Sequence, residues 1–174
     1  YLGKDHKFYQ SIPAYIRQNF EERQMMPNVV QSFAEKVVSI GNNDTFIAMM
    51  VASGKQLYLK DILIPDSTDA EKMGYTDQQI LWSKENEAEI WKKFIEDNLL
   101  YSTDAKLAPR FINLAPFSKF YLEIDNESPG RIGQWMGWQI VRSFMENNPE
   151  VTIQQLLKMD AKVVFEKSKY KPKK

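Results

Sequence analysis

Apolar residues recur at every third or fourth position along most of this 174-residue chain. That period marks one face of a helix, whereas a half-buried strand alternates apolar and polar residues. The one stretch with a strand-like alternation is 120–124. No internal repeat or linker divides the sequence. We therefore predict a mostly α-helical, bundle-like single domain over residues 1–174.

The first two long helices are expected to follow each other closely. Pro27 suits the first turn of a helix whose apolar set is Val29, Val30, Phe33, Val37 and Val38. Gly41-Asn42-Asn43 is predicted to end this helix and Asp44 to cap the next, which Pro65 stops. Apolar residues surround the second helix on nearly all sides, so we expect it to be buried.

Capping signals predict the remaining helices. Thr76 and Gln79 form a capping box that opens a helix to about Asn98, with Leu81, Ala88, Trp91 and Ile95 as its buried stripe. Residues 101–126 are expected to form a packed loop with short helical turns. Ser128-Pro129 is predicted to cap a helix to about Asn147, and two short helices are predicted to follow.

The two short helices have their own caps, and a basic tail follows them. Thr152 and Gln155 form a second capping box, and Asp160 is expected to cap a last helix that ends near Lys167. Five lysines lie in the final eight residues. We interpret this tail as a solvated terminus, and contact with an anionic membrane surface is the alternative.

Composition excludes several classes of function. Lysine plus arginine equals aspartate plus glutamate at 23 each, which does not suggest a nucleic-acid-binding protein. Cysteine is absent, and His6 is the single histidine. A thiol nucleophile, a cysteine zinc site and a two-histidine zinc site are therefore excluded within this chain. We interpret His6 as a solvated surface residue and predict no metal, no cofactor and no catalytic residue.

Three carboxylates alternate before the predicted helix at 128, at Glu123, Asp125 and Glu127. Such a cluster could do acid–base work or bind calcium. Their spacing does not match an EF-hand loop, and acidic residues are expected near a helix N-terminus. We favour helix capping over a metal site.

The segment Pro129–Arg142 is the most distinctive in the sequence. Gly133 and Gly137 share one helix face, where small residues allow another backbone to come close. Trp135 and Trp138 lie three residues apart, so they could line a ligand groove or belong to the core. Arg131 and Arg142 could each bind a carboxylate, and a structural ion pair is the alternative.

Several short runs, in order along essentially the whole chain, resemble the gliding-motility lipoprotein family GldB of Bacteroidota. They include Tyr1-Leu-Gly-Lys-Asp5, Ser53-Gly-Lys-Gln-Leu-Tyr58, Leu100-Tyr-Ser-Thr-Asp104, Phe111-Ile-Asn113 and Ser168-Lys-Tyr-Lys-Pro172. Members of that family are longer at the N-terminus, where a lipidated cysteine anchors them. The resemblance therefore implies that this chain is the C-terminal half of a longer lipoprotein.

The family's plan is also similar to that of zincin-type peptidases, whose first helix carries His-Glu-x-x-His. In this comparison, Pro27–Ser39 would be that helix, and it holds no histidine. The following helix has Ser53 where the third metal ligand is expected, although Gly54, Lys55 and Tyr58 keep the surrounding pattern. The resemblance thus implies a zincin-like helical scaffold with a degenerate ligand position at Ser53.

The resemblance implies a non-catalytic envelope component of gliding motility and type IX secretion, acting as a protein-binding or scaffold subunit. Its expected partners are other envelope proteins of that machinery, an extended peptide or cell-wall material. It is expected to face the periplasm, attached through a lipid anchor outside this chain. A zinc-dependent peptidase-related enzyme and a purely structural helical domain are the alternatives. The candidate binding residues are Arg110, Tyr121, Arg131, Trp135 and Trp138.

Overall fold

Helices form all the regular secondary structure in the computed structural model, which describes residues 2–38 and 44–172. The mostly α fold class is therefore confirmed. The α-helices of the described residues are α1 (Ala14–Arg17), α2 (Met25–Val37), α3 (Phe46–Leu63), α4 (Asp69–Met73), α5 (Asp77–Glu85), α6 (Glu87–Glu96), α7 (Ile132–Asn147), α8 (Ile153–Lys158) and α9 (Ala161–Ser168).

Helices α3 and α7 form the centre of the fold and pack directly against each other. Gly54 of α3 lies against the backbone of Gly137, and Gly137 lies against the carbonyl of Met50. A side chain at either glycine would overlap the backbone of the opposite helix. Gly133, one turn earlier, is similarly close to the carbonyl of Phe111. The close approach expected at Gly133 and Gly137 is therefore confirmed.

The outer helices cover this central pair. Helix α9 contacts both α7 and α3, and α2 packs mainly on α3. Ala34 and Val38 from the α2 segment meet Ala52 and Leu59 of α3 in a small separate cluster. Helix α3 is buried on nearly all sides, as predicted, and its buried residues include two lysines, Lys55 and Lys60.

The prediction of one continuous helix from Thr76 to about Asn98 is wrong, because the helix is divided at Asn86 into α5 and α6. The Asn86 side chain donates to the carbonyl of Trp82 at 2.9 Å, which competes with continuation of the helix. The buried stripe also differs from the prediction. Leu81 and Ile95 are 55% and 49% exposed, whereas Trp91 is buried as predicted. Ala88 is half-buried.

Both predicted capping boxes are confirmed, at Thr76 with Gln79 and at Thr152 with Gln155. Asp160 also caps α9 as expected, since its carboxylate accepts the N–H groups of residues 162 and 163.

Two other predicted caps are wrong. Ser128 does not cap α7, because Arg131 holds the N-cap position with a left-handed backbone. The first helical N–H, at Ile132, instead donates to the hydroxyl of Ser118 at 3.2 Å. Thr45, not Asp44, is the N-cap residue of α3. The predicted helix end at Gly41-Asn42-Asn43 lies outside the described residues.

The segment between α6 and α7 is a packed loop, as predicted, with a π-helical turn at Ala108–Ile112 and a 3-10 helix at Glu123–Glu127. Phe111 and Phe120 attach it to the core, with ring centroids 5.1 and 6.0 Å from that of Phe94. The strand-like alternation at 120–124 does not form a strand. The Asp125 carboxylate accepts the N–H groups of residues 120, 121 and 122, which curls the chain there.

The basic tail is not entirely solvated. Tyr170 is half-buried beside Trp91, with ring centroids 5.2 Å apart, and its hydroxyl donates to Glu87 at 2.7 Å. Burial and the Glu87 carboxylate together raise the pKa of Tyr170. The tail therefore ties α9 to α6 through one aromatic residue.

Gly137→Ala should destabilise the fold strongly, because the new methyl group would overlap the Met50 carbonyl. We expect a loss of about 3 kcal/mol in the free energy of unfolding, measured by urea denaturation. Glu146→Ala, at an exposed position of the same helix, is the matched control and should change stability little. A Gly137→Ala variant as stable as the wild type would contradict this packing.

Candidate functional site

A polar cavity of about 290 Å³ lies where α2, α3, the end of α4 and the start of α7 meet. Its charged lining residues are Glu35 from α2, Lys60 from α3, Lys72 from α4 and Arg131 at the start of α7. Sequence analysis identified Arg131 but missed the other three, since they come from separate helices with no shared motif. This volume is just below the range of small-molecule sites, roughly 300–1,000 Å³.

Lys60 is the most unusual group in the cavity wall, being only 6% exposed. Its ammonium donates to the backbone carbonyl of Lys72 at 2.7 Å, next to the end of α4. Burial and the charge of Arg131 together lower the pKa of Lys60 from 10.5 to about 7, against the opposing influence of Glu35. Lys60 therefore changes its charge near neutral pH.

Arg131 is held in place by an uncommon backbone conformation. Its φ of 64° is rare for a residue with a side chain, at a cost of order 1–3 kcal/mol. The guanidinium lies 5.3 Å from the ring centroid of Tyr75, and its Nη2 donates to the carbonyl of Gly74 at 3.2 Å. The Tyr75 hydroxyl donates to the carbonyl of Gly130, immediately before Arg131. These contacts fix one cation at the edge of the cavity.

Arg142 belongs to a separate ion-pair network. The alternative that Arg142 forms a structural ion pair is therefore confirmed. Its guanidinium donates to Asp61 twice, each at 2.8 Å, and to Asp69 at 2.8 Å. Asp61 also accepts from Lys72 at 3.1 Å and from the Trp138 indole at 2.9 Å. Lys72 is therefore already paired with the Asp61 carboxylate.

Trp135 and Trp138 do not line an open groove. They are 1% and 0% exposed, and their rings contact each other with centroids 5.8 Å apart. Both belong to the hydrophobic core between the helices, which corrects the groove interpretation for these two residues. Helical spacing placed the tryptophans on neighbouring faces, but it could not show that both faces are covered.

Arg110 and Tyr121 form an exposed pair on the loop before α7. The guanidinium lies 4.5 Å from the Tyr121 ring centroid, and Arg110 Nε donates to the carbonyl of Lys119 at 2.8 Å. Tyr121 is 72% exposed and has a left-handed backbone. This pair does not line the polar cavity, so the structure does not bring it together with Arg131.

None of the remaining candidate residues, Ser53, His6 and Asp125, lines the polar cavity. Ser53 is half-buried in α3, and His6 is exposed and accepts the N–H of Phe8. Asp125 is occupied by backbone N–H groups of its own loop. Within residues 2–38 and 44–172, no three His, Cys, Asp or Glu side chains lie close enough together to hold a metal ion.

Helix α2 exposes a continuous apolar stripe that sequence analysis did not foresee. Met25, Val29, Phe33 and Val37 lie four residues apart and are 51%, 61%, 50% and 38% exposed. Met26, beside them, is 56% exposed. Val29, Phe33 and Val37 belong to the apolar set identified from the sequence, but Ala34 and Val38 are the members of this segment that meet α3. We call the five exposed residues the α2 stripe.

These features define a mostly α-helical domain with one polar cavity and one exposed apolar helix face. The sequence matches the family model described as "Gliding motility protein GldB" over residues 1–172. The chain therefore belongs to the GldB family of gliding motility proteins. No curated protein and no solved structure shows a significant match to it. In the part of the chain that the structure describes, no helix is long and apolar enough to cross a membrane.

Lys60→Met should change how stability depends on pH. The pKa of Lys60 in the folded protein is lowered to about 7. Below that pH, Lys60 is charged in the folded protein, and burying the charge lowers the free energy of unfolding by its full amount. That cost is relieved as the pH rises above 7. Wild-type stability relative to the variant should therefore increase by about 2 kcal/mol between pH 6.5 and pH 9.

Urea unfolding of both proteins at several pH values measures this difference. Lys92→Met, at an exposed position of α6, is the control, for which we expect no such change. A constant difference between wild type and Lys60→Met would show that Lys60 keeps its usual charge in the folded protein.

Proposed function

We propose that this domain is a non-catalytic, protein-binding subunit of the machinery for gliding motility and type IX secretion. The family membership supports a role in gliding motility. We further propose that it works at the cell envelope, facing the periplasm, through a lipid anchor outside this chain. The α2 stripe is the observation that carries the binding role.

The α2 stripe fits a helix from another protein. Side chains four residues apart form a ridge along a helix, and such ridges pack into the grooves of a second helix. An amphipathic helix laid on an apolar surface is a common mode of recognition. Contiguous exposed apolar surface of this kind marks interaction sites. We therefore assign the stripe to an amphipathic helix of another envelope protein of the same machinery.

The residue inventory supports the absence of catalysis. One histidine and no cysteine exclude a thiol nucleophile and a two-histidine zinc site within this chain. Asp61 and Asp69 both form ion pairs with Arg142. On this proposal, the zincin-like scaffold is used for binding, with Ser53 in place of a metal ligand. Metal analysis of the full-length protein tests this point, because about one tightly held zinc ion per chain would contradict it.

The partner is best identified by crosslinking from the α2 stripe. A photo-reactive amino acid at position 29 of the full-length protein, expressed in its native cells, should give an adduct with a gliding or secretion component. The control places the same group at Ile95, an isolated apolar residue of α6 that is 49% exposed. An adduct only within the same chain, or only with a second copy of it, would contradict the assigned partner.

Val29→Glu should weaken partner binding without unfolding the domain. The side chain is 61% exposed, so a charge there changes stability little, whereas burying that charge in an interface costs a great deal. We expect co-purification of the crosslinked partner to fall about tenfold. Ile95→Glu, the matched control, should retain the partner. Equal retention by both variants would remove the α2 stripe from the interface.

A further inference from the structure

Two buried lysines on α3 make the same backbone contact but have opposite electrostatic surroundings. Lys55 donates to the carbonyl of Met159 at 2.6 Å, and Lys60 donates to that of Lys72 at 2.7 Å. Each therefore caps the C-terminal end of a short helix. They are 3% and 6% exposed. This capping contact is sufficient to explain why Lys55 is buried, but Lys60 has a second feature.

The second feature of Lys60 is an uncompensated charge. The Asp160 carboxylate favours the charged form of Lys55, whereas the strongest charge acting on Lys60 is another cation, Arg131. Among the described residues, no carboxylate forms an ion pair with Lys60 or with Arg131. Both cations line the same cavity, and Glu35 is the one carboxylate in its wall. Buried charges are normally paired, so these two cations in one wall favour an anionic ligand.

We propose that the cavity binds a small organic carboxylate between Lys60 and Arg131. This binding site is separate from the α2 stripe and does not depend on the proposed partner. A guanidinium presents a planar set of donors that matches a carboxylate, and an ammonium adds a charged donor from a second direction. Tyr75 and Gly74 already hold the guanidinium in place, so little ordering is needed when the ligand binds.

The charge of the wall favours one negative charge over two. Lys60, Lys72 and Arg131 face Glu35, and Lys72 is already paired with Asp61 at 3.1 Å. The remaining excess is about one positive charge. A carboxylate neutralises that excess, whereas a dianionic phosphate would leave an unpaired negative charge in a partly enclosed site.

The uncharged residues of the cavity wall favour a ligand with polar groups besides its carboxylate. The amides of Gln31 and Gln134 are fixed by donating to Gln56 at 3.0 Å and to the carbonyl of Ile112 at 2.7 Å. Their amide nitrogens are thus engaged, while amide oxygens can accept further hydrogen bonds. A ligand with N–H or O–H groups next to its carboxylate would satisfy both parts of the wall.

The direct test is a titration of the domain with N-acetyl-alanyl-alanine, followed by NMR chemical shifts at pH 6.5. The C-terminal amide of the same dipeptide lacks the charge, and we expect it to bind at least about tenfold more weakly. The L,L and D,D isomers distinguish a protein-type terminus from a cell-wall-type terminus. Inorganic phosphate is the competing anion and should bind more weakly than the preferred isomer.

Variants connect the binding to this cavity. Lys60→Met should weaken carboxylate binding about tenfold, and Lys55→Met should leave it unchanged, since Lys55 is buried in the same helix but does not line the cavity. Glu35→Gln alters an exposed residue and removes the competing negative charge, so it should strengthen binding several-fold. This second variant keeps the proposal testable if Lys60→Met fails to fold.

The pH dependence of carboxylate binding gives an independent test. Lys60 must be charged to bind the anion, and the groups that face it are Arg131, Glu35 and Lys72. Affinity for the carboxylate should therefore fall several-fold between pH 6.5 and pH 9. No saturable shift with either isomer at pH 6.5, equal binding of the amide, or an equal loss in Lys55→Met would each overturn the proposal.

Discussion

The close crossing of α3 and α7 is the contact on which the rest of the fold depends. Gly54 and Gly137 bring the two helix backbones together, so α3 is enclosed by α7 and the helices around it. A helix enclosed in this way leaves little room for polar groups. Its two buried lysines, Lys55 and Lys60, are accommodated because each reaches the carbonyl end of a short neighbouring helix. The packing of one helix pair therefore determines where buried positive charge can lie.

Charge near the central pair is compensated in one region and not in another. Arg142 has Asp61 and Asp69 as direct partners, and it also lies over the Trp138 ring, 3.7 Å from its centroid. This network is satisfied without any ligand, so it serves to hold α3, α4 and α7 together. Lys60 and Arg131 have no such partners among the described residues. That contrast within one small domain separates a structural cluster from the proposed binding site.

Most of the helices, but few of their exposed faces, could be predicted from the sequence. The capping boxes at Thr76 and Thr152 are local patterns whose chemistry involves residues three positions apart, so the sequence contains them completely. The left-handed cap at Arg131, by contrast, is accompanied by contacts with the distant residues Gly74 and Tyr75. The polar cavity could not be predicted either, because its charges come from four separate segments. Periodicity likewise groups Phe33 with the apolar set of its helix without showing whether another element covers that side chain.

Helix α2 joins the two proposed sites, because its three faces have different roles. Val30 and Ala34 pack on α3, Gln31 and Glu35 line the polar cavity, and the α2 stripe faces solvent. The main helix contact of α2 is with α3. A partner helix on the stripe would act on the same rigid element that carries Glu35 toward Lys60. Any coupling between the two sites must be reciprocal. A ligand that holds α2 against the cavity would then favour the partner to the same extent that the partner favours the ligand.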